Sequence, residues 1–223
     1  MSNFFNLENP FFTTLSKICD MIFLSIVYVI ICIPIVTIGP ATTALYYTTV
    51  KVIRRDRSYL FREFFKSFKL NFKKGALAGI ILTIISAILA FDVMYAYELA
   101  KTDYNKGSLF MGMFIAIIFI ITCITTCITL YIFPVLSRFE IGLKQLFKTS
   151  FFMSIRHLPS TILMIVILLV TLLAIYLIQI LAFILPSVCA LLISFLMERI
   201  FKKYMPKSED NDEDAVKDEW YLE

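Results

Sequence analysis

The sequence predicts an all-α membrane protein with five transmembrane helices, and two observations carry this prediction. Hydrophobic residues make up 60% of the 223 residues, with a mean hydropathy of +0.84, above the roughly 45–50% apolar share of soluble domains. Residues 21–38 carry no charged side chain, whereas nine Lys or Arg stand in residues 51–74 against only Asp56 and Glu63. An apolar run followed by a basic run is typical of a helix that leaves the bilayer on its cytoplasmic side.

The lengths of the apolar runs place the spans. A helix needs about 20 residues, at 1.5 Å per residue, to cross about 30 Å of hydrocarbon. Residues 21–38, 76–97 and 109–133 are predicted as the first three spans. Residues 160–197 have no charge over 38 residues, which as one helix would be about 57 Å long. We therefore divide this run into a fourth span, about 161–180, and a fifth, about 183–201.

The basic residues predict the orientation of these spans. Cytoplasmic loops carry the excess of Lys and Arg, so residues 51–74 and 134–159 lie inside. A fifth span also brings the basic cluster of residues 199–207 to that side, whereas four spans would leave it outside. The predicted topology has the N-terminus out and the C-terminus in.

The first inner segment predicts an amphipathic helix at the membrane surface. Its apolar side chains recur at helical spacing and its basic ones take the opposite face, a pattern typical of helices that lie in the bilayer interface. The apolar face holds Leu60, Phe61, Phe64, Phe65, Phe68 and Phe72, and the basic face holds Arg62, Lys66, Lys69 and Lys73. Residues 143–156 predict a weaker helix of the same kind.

The charge divides the chain into two parts. Residues 1–207 carry 20 basic and 9 acidic side chains, or +11, and residues 208–223 carry 1 and 8, or −7. Residues 1–207 are therefore predicted to form a single transmembrane domain. Residues 208–223 lack apolar periodicity before Trp220 and are predicted to be a disordered cytoplasmic tail.

Several classes of function lack their signatures. No phosphate-binding loop is present, and no arrangement of Ser, His and Asp suggests hydrolysis in the membrane. Five cysteines and a single His offer no plausible zinc shell, so the cysteines are expected to be reduced packing residues. We therefore expect no enzyme activity, catalytic residue, metal or cofactor. Anionic lipid or an acidic partner is a better counter-charge for the inner loops than nucleic acid.

Small and polar side chains within the spans allow more than one interpretation. Gly75, Gly79 and Thr83 form a stripe at four-residue spacing, which favours close helix packing inside the subunit or docking onto another protein. Asp92 is either an interfacial carboxylate or part of an ion relay. His157 is expected to be solvated at the inner surface. A threonine stripe on the third span either bonds back to its own helix or lines a solute path, and consists of Thr122, Thr125, Thr126 and Thr129.

Three motifs carry a resemblance to a known family. The first is Pro34-Ile-Val-Thr-Ile-Gly-Pro40-Ala-Thr-Thr-Ala-Leu-Tyr-Tyr47, followed by Lys51-Val-Ile-Arg54. Asn71-Phe72-Lys73 and Tyr131-Ile-Phe-Pro134-Val-Leu-Ser-Arg138-Phe139 follow in the same order. Together they resemble the YesL-like bacterial membrane proteins over most of residues 3–200. The resemblance implies a multi-pass protein of the bacterial plasma membrane, whose relatives are commonly encoded beside carbohydrate importers of the ATP-binding-cassette (ABC) type.

The first motif also has a physical interpretation. Pro34 loosens the end of the first span, Gly39 relieves the backbone, and Pro40 starts a new helix over residues 41–54. The resulting break is either a structural elbow or a docking surface.

We expect a non-enzymatic accessory subunit that contacts membrane lipids and importer permease subunits, with no small-molecule substrate identified. The alternatives are a small proton- or ion-coupled transporter and a membrane sensor that signals to a sugar-responsive regulator. The expected partner-binding residues are Pro34, Gly39, Pro40, Tyr46, Tyr47, Arg62, Lys66, Lys69, Lys73, Gly75, Gly79, Thr83, Pro134 and Arg138.

Overall fold

The computed structural model describes residues 10–54, 59–102 and 109–204, and within these ranges it consists of helices without a strand. The predicted tail, residues 208–223, lies outside the described residues. Eight α-helices follow one another in the described part of the chain: α1 Pro10–Ile31, α2 Ile38–Thr48, α3 Leu60–Leu70, α4 Phe72–Thr102, α5 Leu109–Arg138, α6 Leu143–Arg156, α7 Leu158–Leu177 and α8 Leu185–Phe201.

Four of these helices are long and apolar enough to cross a membrane. Their candidate spans are Thr14–Ile31 in α1, Phe72–Glu98 in α4, Gly112–Arg138 in α5 and Leu158–Leu177 in α7. The predicted class, a multi-pass all-α membrane protein, is thereby confirmed. Residues 143–156 also form a helix, α6. The predicted segment 60–72 forms α3 only as far as Leu70, and its last residue, Phe72, begins α4.

The first span was predicted seven residues too far along the chain. Helix α1 ends at Ile31 rather than at residue 38, and its candidate span begins at Thr14. Pro34 explains the early end, because proline lacks the N–H that would continue the helix and disfavours helical backbone at the residue before it. The span consequently includes Lys17 and Asp20, which the prediction left outside the membrane.

The long uncharged run of residues 160–197 divides close to the predicted place. Helix α7 ends at Leu177, a 3₁₀ turn covers Gln179–Phe183, and α8 begins at Leu185 with Pro186 in its first turn. Ser25 of α1 holds the start of α8, because its hydroxyl donates to the Ser187 hydroxyl at 2.7 Å. With 17 residues, or about 26 Å, α8 is shorter than the four spans.

Helix α2 lies at the centre of the bundle and contacts α1, α3, α4, α5 and α8. It begins at Ile38, two residues before the predicted start at Pro40, and a π-helical turn, Thr49–Arg54, continues it to the predicted end. Ala41 and Ala44 are fully buried, so their small side chains let the surrounding helices approach the α2 backbone. Tyr46 of α2 joins the main apolar cluster with residues of α4 to α8.

Candidate functional site

The proline-glycine segment forms a compact turn between α1 and α2. After α1, a 3₁₀ turn covers Ile35–Thr37. The Thr37 hydroxyl donates to the carbonyl oxygens of Ile31 and of Pro34, the latter at 2.6 Å. Pro40 is the third residue of α2, where its missing N–H removes no helical hydrogen bond. The segment is therefore an elbow whose geometry is fixed by local bonds.

Helices α2 and α4 cross in direct backbone contact at three glycines. A Cβ atom added to Gly39 would lie 2.0 Å from the Gly75 carbonyl oxygen, well inside van der Waals contact. A Cβ on Gly79 would lie 3.0 Å from the Cα of Gly39, and one on Gly75 would lie 3.0 Å from the Cα of Pro40. Only residues without a side chain allow this approach.

Of the two interpretations of the small-residue stripe, packing inside the subunit is the one that these contacts match. Gly39, Pro40, Gly75 and Gly79 are all buried in this crossing. Thr83, the next member of the stripe, is half-buried, and its hydroxyl donates to the Gly79 carbonyl at 2.8 Å. The stripe joins the elbow to α4.

A buried ion pair joins α5 to α8. Arg138 donates from its guanidinium to Glu198, and the side chains of both residues are almost fully buried. The Tyr46 hydroxyl of α2 donates to the other carboxylate oxygen of Glu198 at 3.2 Å. Two of the expected partner-binding residues, Tyr46 and Arg138, therefore meet on a single carboxylate inside the protein.

A second buried ion pair fixes α3 to the π-helical turn. The Lys51 ammonium donates to Glu63 at 2.8 Å and to the Tyr47 hydroxyl at 3.2 Å, and both members of the ion pair are buried. Close by, the Arg54 guanidinium donates to the Ser194 carbonyl of α8 at 3.2 Å. The charges at this end of the bundle connect elements that are far apart in the sequence.

Helix α3 presents two different faces. Phe64 is fully buried in the core, whereas Phe61 and Phe65 are 48% and 40% exposed. The ring centroid of Phe61 lies 4.6 Å from that of Phe23 on α1. The predicted apolar face is therefore divided between the core and the outer surface. Of the expected basic residues of α3, Arg62 and Lys69 are exposed and Lys66 is half-buried, and the exposed Lys73 lies in the first turn of α4.

A cavity of about 550 Å³ lies between α2, α5, α7 and α8. No charged side chain is among the described residues that line it, and most of its wall is apolar. Its polar lining consists mainly of hydroxyl groups, from Tyr28, Thr42, Tyr46, Ser86, Thr125, Thr126, Thr129 and Thr171.

The threonines of this wall use their donors within their own helices. Thr125, Thr126 and Thr129 each donate to the carbonyl four residues earlier at 2.8–2.9 Å, which confirms the expected back-bonding. Thr171 of α7 does the same at 2.7 Å. The cavity consequently offers hydroxyl acceptors but few donors for a polar solute.

Asp92 and His157 lie away from this cavity. Asp92, on α4, is half-buried and does not line it. His157 was expected to be solvated, but it is half-buried, with its Nε2 atom 3.1 Å from the Tyr204 hydroxyl. Burial, together with the positive charges of Lys203 and Arg156, lowers the pKa of His157. Tyr204, which follows the end of α8, contacts the ring from 47 residues away in sequence, so His157 is only partly exposed to solvent.

The remaining expected residues differ in exposure. Pro34 is exposed at the elbow, Tyr47 is half-buried, and Pro134 is buried within α5. A role in partner binding stays a prediction for the whole set. The expected partner-binding set does not include Lys51, Glu63 or Glu198, which form the buried ion pairs. Glu198 had a usable signal, since it is the first charge after the 38 uncharged residues.

Comparison with known proteins identifies one family model. The model, described as a protein of unknown function, DUF624, matches residues 21–93, from α1 through the elbow and α3 into α4. Neither a curated protein nor a solved structure matches the chain. The matched region contains the glycine crossing and the Lys51–Glu63 pair, and it ends before α5.

Proposed function

We propose that the protein is a non-enzymatic accessory subunit that associates, through α3, with the permease subunits of a carbohydrate ABC importer in the bacterial plasma membrane. The observation that carries the proposal is the outer face of α3. It presents Phe61, Phe65 and two exposed cations, Arg62 and Lys69, while Phe64 and the Lys51–Glu63 pair hold the opposite face in the core.

The rigid anchoring of α3 is what makes its outer face a binding surface. Exposed apolar patches rimmed by charge are typical of protein or membrane contacts. A basic face with aromatic side chains lies in the bilayer interface, where anionic lipid adds about 1 kcal/mol per Lys or Arg. We propose that lipid and an importer permease share this face. The importer is the partner that the resemblance to YesL-like proteins implies.

The proposed topology has five crossings, with the N-terminus out and the C-terminus in. The hydrogen bond between His157 and Tyr204 supports it, because α7 begins directly after His157 and α8 ends just before Tyr204. The two helices therefore run out and back to one end. That end also carries α3, α6 and their Lys and Arg residues, which the positive-inside rule assigns to the cytoplasm.

The test is affinity purification of the full chain from its native membrane. Importer permease subunits should be recovered with the unaltered protein. Recovery should fall for Arg62→Glu/Lys69→Glu, since each exposed cation contributes about 1 kcal/mol at the membrane surface. The matched control is Lys144→Glu/Lys148→Glu on α6, which makes the same change of charge at exposed positions. Equal recovery with both variants would refute the proposed attachment through α3.

A small independent carrier is the second candidate function, and the cavity of about 550 Å³ favours it. That volume lies within the roughly 300–1,000 Å³ range of small-molecule sites. A proton-coupled path is less well supported than the accessory role. No charged group is among the described residues that line the cavity, and Asp92 lies outside it. Uptake by the purified protein alone in proteoliposomes tests the carrier directly.

A further inference from the structure

A second groove lies at the basic end of the bundle, and the described chain ends in its wall. It has a volume of about 830 Å³ and lies between the outer side of α6 and Tyr204. Lys144, Lys148 and Arg156 contribute its charges, and all three are exposed. None of the described residues that line it is acidic.

Cations and apolar groups are combined in this groove. The Arg156 guanidinium lies 5.6 Å from the centroid of the Tyr204 ring. Phe152 and Ile155, which are 58% and 51% exposed, supply apolar surface between the basic positions. An occupant of matching chemistry carries several negative charges together with an aromatic or aliphatic group.

Such a segment follows Tyr204 in the sequence after three intervening residues, 205–207. Residues 208–223 carry eight acidic side chains against Lys217 and end in Trp220-Tyr221-Leu222 before Glu223. The 16 residues span up to about 50 Å when extended, whereas α6 is about 21 Å long. The segment therefore has ample length to follow the groove from Tyr204 to Lys144.

We propose that residues 208–223 bind this groove of their own subunit, pairing their carboxylates with Lys144, Lys148 and Arg156 and placing the Trp220 end against Phe152. The covalent link favours this occupant over lipid, because a short tether gives an effective concentration of about millimolar. An anionic leaflet also repels a segment with a net charge of −7, so the cations of the groove are the nearer favourable partner for it. The bound segment would then cover α6 and leave α3 as the free basic surface. This inference does not depend on the importer.

Trp220 provides the readout, since it is the only tryptophan of the chain. The purified full-length protein is placed in nanodiscs of neutral phosphatidylcholine at low salt. Trp220 should be protected from acrylamide quenching relative to a free peptide of residues 208–223. Raising the salt to 1 M should abolish the protection, because the Debye length falls to about 3 Å. Protection that is absent at low salt, or unchanged at 1 M, would overturn the proposal.

Charge reversal then locates the binding surface. Lys144→Glu/Lys148→Glu/Arg156→Glu should raise quenching to the value of the free peptide. The matched control, Arg62→Glu/Lys66→Glu/Lys69→Glu on α3, should leave Trp220 protected. Equal loss of protection in both variants would show a non-specific charge effect and refute the groove as the site.

A compensating change keeps the test valid if the groove variant folds poorly. Adding Glu209→Lys/Asp210→Lys/Asp212→Lys to the groove variant should restore protection at low salt, and failure to restore it refutes the pairing. A last arm uses nanodiscs that contain phosphatidylglycerol. Two results together would show that the groove is a lipid site and that the proposal is wrong. Trp220 would be exposed in neutral nanodiscs, and the groove variant would lose binding to phosphatidylglycerol while the α3 control variant keeps it.

Discussion

Gly39, Gly75 and Gly79 bring two helix backbones closer together than any side chain would allow. Within a bilayer, helices gain no hydrophobic drive from leaving lipid, so close backbone packing is a main source of their association. The elbow after α1 and the start of α4 both depend on this crossing for their positions. Its residues should therefore tolerate substitution poorly.

Gly39→Ala should destabilise the protein, because its methyl group would lie 2.0 Å from the Gly75 carbonyl oxygen. Overpacking of this kind costs about 1–3 kcal/mol. Gly79→Leu, which places a larger side chain against Gly39, should be worse and should also reduce recovery of the partner. The measurement is the thermal unfolding midpoint in detergent.

Gly112→Ala is the matched control, since a Cβ atom there meets nothing within 4 Å. It lies in α5, where Ala is favoured over Gly by about 0.5–1 kcal/mol. Its midpoint should stay the same or rise slightly. Equal midpoints for Gly39→Ala and the unaltered protein would contradict the crossing.

If the proposed association with an importer holds, Asp92→Asn should leave sugar uptake by that importer largely intact. The carboxylate is half-buried on α4, away from the cavity and from α3, and a charge costs less near the bilayer surface than at its centre. Uptake of labelled sugar by whole cells checks this. A second measurement uses the purified protein alone in proteoliposomes. If the unaltered protein transports sugar there and Asp92→Asn abolishes that transport, the result favours a carrier instead.

Among the elements, α3 combines the proposed binding surface and a core anchor in one short helix. Its outer cations and rings are accessible because Glu63, Phe64 and Ser67 are buried on the other side. Glu63 accepts from Lys51 in a nearly dry environment. A buried pair of this kind is costly to break from one side only.

Glu63→Ala should weaken partner recovery although it leaves every outer residue of α3 unchanged. It would remove the carboxylate that neutralises the buried Lys51 charge, at a cost of about 3–5 kcal/mol. Lys51→Met/Glu63→Leu should recover much of the stability and the binding, because it removes both charges and keeps an apolar contact. Denaturant unfolding and co-purification of the two variants measure this. A double variant no better than Glu63→Ala would show that the charges themselves are needed.

Hydropathy and charge predicted α4, α5, α7 and the amphipathic helices because those signals are local. The central position of α2 could not be predicted in this way. Its burial depends on five other helices, and its 11 residues are too few to form a strong hydropathy signal. The Arg138–Glu198 pair likewise joins positions 60 residues apart. Pro34 alone signals the early end of α1, because proline disfavours a helical backbone in the turn before it even though the apolar run continues to residue 38.

For the whole molecule, the topology can be tested by cysteine labelling in a background without the five native cysteines. Asn105→Cys should react with an impermeant maleimide added to intact cells. Ser58→Cys and Ser208→Cys should react only after the cells are opened, because the positive-inside rule places both in the cytoplasm. Labelling of Ser208→Cys from outside would reject the fifth crossing and the orientation derived from it.

The contact of Gly39 with Gly75 also closes a ring in the chain. The 35 residues between them leave the crossing along α2, turn through α3 and return to the same point. Because both ends of this segment are held at the same crossing, α3 cannot move away from the bundle as the end of a free loop could. A displacement of α3 is therefore expected to displace the junction where the elbow meets α4. A molecule that binds the outer face of α3 would in this way also act on the centre of the bundle.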